Sequence, residues 1–162
     1  MDNEKRIAVK TDLKKITTKR KSILGLEFNK PQIMGVLNIT PDSFSDGNLF
    51  FDESKAYNQA NLMINSGATI IDIGGESTRP GSKTINEIEE WNRIKNTIIK
   101  LKADFSKTII SLDTRKSSII EKSLIYKVDL INDVSGVNYD KEILNILKKH
   151  KTASMLIPKP II

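Results

Sequence analysis

The sequence predicts an α/β fold of the (β/α)8 TIM-barrel type, truncated to about five strands, and three observations carry that prediction. Short apolar runs bounded by turn residues recur along the chain, with amphipathic helical patterns between them. The runs are almost continuously apolar, as strands buried on both faces of a parallel sheet require. Each of the first four is followed by polar, glycine-containing or acidic residues: Asn38, Gly74-Gly75-Glu76, Asp113 and Asn132-Asp133. Reactive groups at the C-terminal ends of several different strands are how such barrels build active sites, whereas an open doubly wound sheet concentrates them at one switch point.

The elements follow in order. Met1 to Ser22 is polar and basic, without clean periodicity. Residues 1–30 carry nine Lys/Arg against four Asp/Glu, and the remaining 132 carry 17 against 16. Most of the formal charge of +6 therefore sits on a basic N-terminal extension (1–30) and not on the domain that follows (31–162). Such an arm can meet nucleic acid or an anionic membrane. This one has no interleaved aromatics and no binding motif, so it reads as a solvated extension or linker, with neither nucleic acid nor membrane as partner. Ile23–Phe28 (ILGLEF) reads as a short strand or hairpin arm.

Strands are expected at Ile33–Leu37, Thr69–Ile73, Thr108–Leu112, Val128–Ile131 and Ala153–Ile157. Between the first two, Asp52 is the expected cap of a helix that turns Ala56, Ala60, Met63 and Ile64 inward. Thr84 and Glu87 have capping-box spacing ahead of an apolar stripe of Ile88, Trp91, Ile94, Ile98 and Leu101, all read as core. A shorter helix is expected over Lys116–Leu124. Asp140 is the expected cap of the last, with Ile143, Leu144 and Leu147 inward.

Composition excludes several chemistries. Without cysteine there is no disulfide, thiolate nucleophile or cysteine-ligated zinc. The single histidine, His150, lies in a KKHK segment and reads as a solvated side chain, which leaves serine–histidine catalysis and multi-histidine metal sites without parts. No apolar run approaches the roughly 20 residues that span a membrane. The N-terminus lacks the apolar core of a secretory signal, so the expected location is cytoplasmic.

Four segments carry the chemistry. IMGVLNITPDSFSDGN (Ile33–Asn48) sets Asn38 at a strand end, before a loop with Asp42, Phe44 and Asp46. Turn residues at Pro41-Asp42 and Asp46-Gly47 account for its bends, but not for its length, since such connections usually run about 2–6 residues. GATIIDIGGESTRPGS (Gly67–Ser82) holds Asp72 within a strand, where a buried carboxylate must be hydrogen-bonded. Gly74 and Gly75 allow close backbone approach to a ligand, and Ser77, Thr78 and Arg79 suit a phosphate or carboxylate. SLDTRKS offers Asp113, either as a site residue or as a cap of the next helix. LINDVSG offers Asn132 and Asp133 after the fourth strand, and a carboxylate and a carboxamide on neighbouring strand ends, Asp113 and Asn132, can read both donor and acceptor edges of a flat heterocycle.

These motifs, in this order over Ile33 to Val137, resemble the dihydropteroate synthases. The resemblance implies condensation of 6-hydroxymethyl-7,8-dihydropterin diphosphate with p-aminobenzoate, giving 7,8-dihydropteroate and pyrophosphate in folate biosynthesis. It implies Asn38 as ligand to Mg2+, Thr78 at the pterin diphosphate, and Asp113 and Asn132 at the pterin ring; Asp72, inside its strand, is a further candidate substrate-binding residue. Phe44, Arg79 and Pro80 would lie on mobile loops around p-aminobenzoate, where sulfonamides bind. Asp42 or Asp46 would stabilise cationic character at the pterin methylene, and Arg79 would act with them in catalysis. Pterin-dependent methyltransferases share the barrel, but the NITPDSFSDG and ESTRPG loops suit the synthase better.

The family's later aspartate, lysine, Arg-x-His and late dimerisation helices have no counterpart here, and ASMLIPKPII lacks the expected histidine. The expectation is thus a truncated chain, poorly soluble or molten and inactive or impaired by itself, with open edges at its first and fifth strands. The family's homodimer would lack its helices, and a truncated or decaying reading frame is the favoured explanation ahead of a separately encoded, complementary C-terminal half that completes the barrel. The alternative is a non-catalytic pterin-binding or partner module.

Overall fold

The computed structural model describes residues 3–18, 22–40, 49–77 and 81–156, and the chain divides into two compact units, Met1–Pro31 and Gln32–Ile162. The first unit contains helix α1 (Asn3–Thr17). Its described side chains are exposed, Ile7, Val9 and Leu13 included. The segment read as a solvated extension or linker is thus exposed, and helical over Asn3–Thr17. Its Lys, Arg, Ala and Leu favour helix without an apolar face, a tendency that a search for periodicity misses. At Ile23–Phe28 the expected strand reduces to one antiparallel bridge, Ile23 to Leu26, around Leu24 (φ 52°) and Gly25 (φ 78°).

The second unit alternates β1 (Met34–Asn38), α2 (Leu49–Asn65), β2 (Ile70–Gly74), α3 (Glu87–Asp104), β3 (Ile109–Asp113), α4 (Ser117–Leu124), β4 (Leu130–Asp133), α5 (Ile143–His150) and β5 (Ala153–Leu156). All neighbouring strands are parallel, and their spatial order is their chain order, β1-β2-β3-β4-β5. Alternate strand residues Leu37, Ile71, Ile73, Ile110, Leu112 and Ile131 join Ala56 and Ala60 of α2, Ile94, Ile98 and Leu101 of α3, Ile119 and Ile120 of α4, and Ile143 and Leu147 of α5 in one core. The helices of this unit thus cover one face of the sheet. Sequential strand order with every crossover on the same side is the geometry of a (β/α)8 barrel wall; a doubly wound sheet reverses its order and carries helices on both faces. Among the described residues β1 and β5 are the outer strands.

Several boundaries differ from expectation, each for a local reason. Helix α2 begins at Leu49, so Asp52 lies within it and not ahead of it. The cap of α3 is Asn86, whose side chain accepts the Glu89 N–H at 2.8 Å, and not Thr84. With the start moved, Ile88 faces solvent at 71% exposure and Glu90 takes an inward position. In α5 the inward residues are Ile143, Ile146 and Leu147, while Leu144 is exposed. Asp140 accepts the Glu142 N–H (3.0 Å), and it also accepts the first N–H of α4, from Ser117 (2.9 Å).

Candidate functional site

The strand register builds the site. On the face opposite the helices, the C-terminal row across the sheet reads Asn38, Gly74, Asp113, Asn132, Met155. The row below reads Val36, Asp72, Ser111, Leu130, Ala153. Side chains two apart on a strand share a face, so the polar groups of four strands converge at one end of one surface. Gly74 leaves room in the middle of the upper row. A Cβ there would lie 3.2 Å from Asn38 Oδ1 and 3.5 Å from Asp113 Oδ2.

Asp72, almost fully buried, accepts hydrogen bonds at both carboxylate oxygens: Ser111 Oγ donates to Oδ1 at 2.5 Å, and Asn132 Nδ2 donates to Oδ2 at 2.9 Å. That second bond orients the Asn132 carboxamide, because turning it over would set its oxygen against a carboxylate. Asn132 Oδ1, in a side chain only 6% exposed, has no hydrogen-bond partner among the described residues. A buried acceptor of this kind is costly unless something completes it.

Asp113 does not cap α4; the Ser117 N–H at that helix start is taken by Asp140. Burial pushes the Asp113 carboxyl up to about 7, and the nearby negative charges of Asp72, Glu90, Asp133 and Glu76 push in the same direction. Near neutral pH it therefore exists in both forms and can donate as well as accept. Asp133, next to Asn132 in sequence but pointing the other way, shapes its own loop. Its oxygens accept the Ser135 and Val137 N–H groups at 2.8 and 2.7 Å, holding Gly136 (φ 59°) and Val137 (φ 66°) in the left-handed region. Of the two adjacent residues, Asn132 thus faces the site and Asp133 is occupied by its own loop.

A buried ionic network, not foreseen from the sequence, secures the loops behind this face. Lys116 Nζ lies 2.7 Å from Glu90 Oε2 and 3.3 Å from Glu76 Oε2, and donates to the Ile85 carbonyl at 2.7 Å. Thr114 Oγ1 donates to Glu90 Oε1 at 2.6 Å. Arg115 reaches Glu76 at 3.2 Å and rests over the Tyr139 ring. Burial works to raise the Glu76 carboxyl, but the Arg115 hydrogen bond, the Ile85 N–H and the Lys116 charge outweigh it and hold it below the usual carboxylate range. Gly75 is required by packing, since a Cβ would meet Ile94 Cγ2 at 2.9 Å and the Glu90 carbonyl at 3.0 Å.

Of the residues singled out in the sequence, Asn38, Asp72, Asp113 and Asn132 share this surface; Asp42, Phe44, Asp46, Thr78, Arg79 and Pro80 lie outside the described residues. Ser111 was missed, although a polar residue inside an apolar run, two before Asp113, was a signal for it. The described residues hold no cluster of three or more His, Asp or Glu suited to a metal. The exposed Asn38 carboxamide still fits magnesium, which binds few protein oxygens and keeps water and substrate phosphates as its other ligands.

A barrel-type parallel sheet with amide and carboxyl groups gathered at its strand ends defines the class of α/β barrel enzymes that hold a small polar ligand there. The chain belongs to the pterin binding enzyme family, whose pattern matches residues 34–159. It is 42% identical over 134 residues to the dihydropteroate synthase of Clostridium beijerinckii, an alignment covering 81% of this chain and 49% of that one. Among solved structures it resembles the Xanthomonas albilineans dihydropteroate synthase with 4-aminobenzoic acid (TM-score 0.79, 31% identity, 90% of this chain and 53% of that one). It also resembles the Anaplasma phagocytophilum enzyme with bound 6-hydroxymethylpterin-monophosphate (TM-score 0.70, 36% identity, 77% and 48%). The chain spans about half the length of the curated relatives it matches.

Proposed function

We propose that this chain supplies the pterin side of a dihydropteroate synthase site, in which 6-hydroxymethyl-7,8-dihydropterin diphosphate meets p-aminobenzoate and pyrophosphate leaves. The observation that carries the reading is the row Asn38–Gly74–Asp113–Asn132, with an Asn132 oxygen that has no partner among the described residues, in a member of the pterin binding family. A pterin ring presents several N–H donors and ring-nitrogen acceptors along its edges. Asn132 Oδ1 accepts, and the Asp113 carboxyl accepts or donates according to its protonation.

Asn38 is the proposed magnesium ligand. The ion, when bound, supplies positive charge to the phosphate oxygens of the leaving group. Thr78 is proposed at the diphosphate, Phe44, Arg79 and Pro80 around p-aminobenzoate, and Asp42 or Asp46 beside the pterin methylene as cationic character develops there. The amine nitrogen attacks that carbon as its bond to the pyrophosphate oxygen breaks, and a proton leaves the amine. Sulfonamides would compete for the arylamine pocket.

The strands of the described residues account for five of the eight that close a barrel. Turnover is therefore expected once the rest of the barrel is supplied, by a complementary C-terminal half or by a longer form of the chain. The test measures dihydropteroate formation from pterin diphosphate, p-aminobenzoate and magnesium, with and without the C-terminal half of a relative. Activity only with the added half supports the proposal. Tight pterin binding without turnover in either case would establish the non-catalytic module instead, and a soluble, folded chain that neither binds nor turns over would refute both.

A further inference from the structure

We propose that Asp72, together with Ser111, is a positioning residue: it locks the Asn132 carboxamide with its oxygen toward the ligand side, so that the site presents an acceptor to an N–H or amino edge of a heterocycle. The inference rests on the pterin-site reading for the identity of the ligand, but its structural half stands on this chain alone. Both Asp72 oxygens are engaged within the protein, one by Ser111 (2.5 Å) and one by Asn132 (2.9 Å). Ser111 is fully buried and Asp72 and Asn132 nearly so, which suits three groups that hold one another in place. The bond from Asn132 to Asp72 skips a strand, passing from β4 to β2 over Ser111 of β3.

An amide has two orientations that crystal-like packing alone hardly separates, and only its hydrogen-bond partners choose between them. Here the carboxylate chooses. It takes Nδ2, and the oxygen is left buried and, among the described residues, without a partner on the row that also holds Asn38 and Asp113. Were the choice lost, Asn132 could offer a donor where the ligand also has one, and the buried mismatch would weaken binding.

The test uses the full chain with 6-hydroxymethylpterin as the probe, titrated by its fluorescence, and reads the Asn132 side-chain amide by NMR. Its signals are assigned by their loss in Asn132→Asp. Asp72→Ala removes the lock. Asn132→Asp sets two carboxylates face to face. The exchange Asp72→Asn with Asn132→Asp restores the arrangement with roles reversed: Ser111 donates to the new amide oxygen, the new amide donates to the new carboxylate, and one carboxylate oxygen remains for the ligand. Each single variant is expected to weaken pterin binding about tenfold or more, and the exchanged pair to recover most of that loss. The wild-type amide is expected to show one shifted, slowly exchanging N–H that disappears in Asp72→Ala.

Recovery by the exchanged pair would be hard to obtain from a merely structural role. A folded exchanged pair that binds no better than Asn132→Asp would overturn the proposal, as would an Asn132 amide unchanged by Asp72→Ala. Should Asp72→Ala not fold, Asn132→Asp and the exchanged pair decide alone. A wild-type chain that ignores the pterin while its Asn132 amide is locked would refute the pterin reading and support the lock. An unlocked amide in a chain that binds pterin would do the reverse.

Discussion

Replacing Asp113 by asparagine should make the protein more stable, and by an amount set by pH. The Asp113 carboxyl rises from its ordinary 3.8 to about 7 on folding, burial being the first cause and the charges of Asp72, Glu90, Asp133 and Glu76 the next. Between those two values the folded state holds a proton that the unfolded chain has released. The folded state therefore binds more protons, and stability falls as pH rises through that window, by up to about 1.4 kcal/mol per pH unit. Over the whole interval the loss approaches ~4 kcal/mol, and is complete above about pH 7. Asparagine keeps the shape and carries no charge, so Asp113→Asn should escape the loss. Urea unfolding of both proteins at pH 4, 6 and 8 measures it. The variant's advantage should be near zero at pH 4 and about 2–4 kcal/mol at pH 8, allowing for relaxation around the ionised group. A difference that does not change with pH, or a variant less stable at pH 8, would refute the reasoning, because it would mean that Asp113 ionises in the fold without penalty.

Three other single substitutions, and one double, test the packing behind the site. Gly75→Ala drives a methyl against the Glu90 carbonyl and Ile94, and should cost about 1–3 kcal/mol in urea unfolding. Gly35→Ala should cost less, since its nearest obstacle is the Met63 sulfur, at the adaptable part of a flexible side chain. Lys116→Met leaves Glu90 as an uncompensated buried carboxylate and should cost about 3–5 kcal/mol. Adding Glu90→Leu to it should return part of that loss, read as a rise in melting temperature over the single variant.

What was legible in the sequence followed from strand and turn chemistry. All five strands stand within about two residues of where the apolar runs place them, because runs of Ile, Val and Leu between turn residues have few other readings. Asn38, Asp113 and Asn132 could be set together from their positions at strand ends, which the parallel register turns into a row. The helix faces were harder. Ile88 reads as part of the core stripe, yet the structure exposes it and buries Glu90, which no pattern in the sequence singles out. The burial of Glu90 is decided by Lys116 and Thr114, 26 and 24 residues away, and no local pattern announces a partner at that distance. The opposite fates of Asn132 and Asp133 have the same origin. Alternation along β4 assigns them to opposite faces, but only the Ser135 and Val137 N–H groups show that Asp133 is occupied by its own loop.

The strict sequence of strands gives this half-wall the character of a linear array. Each βα unit meets mainly the one before and the one after, as in a solenoid, so its stability should behave as a chain of nearest-neighbour terms, with the terminal units the first to open. Against that background a bond that reaches past the adjacent unit has a disproportionate effect. The Asp72–Asn132 link couples the second unit to the fourth, so opening β4 must also release a carboxylate in β2. A ligand that engages the Asn132 oxygen would therefore protect amide hydrogens two strands away from its own contact, and the site would act as a clasp across the array.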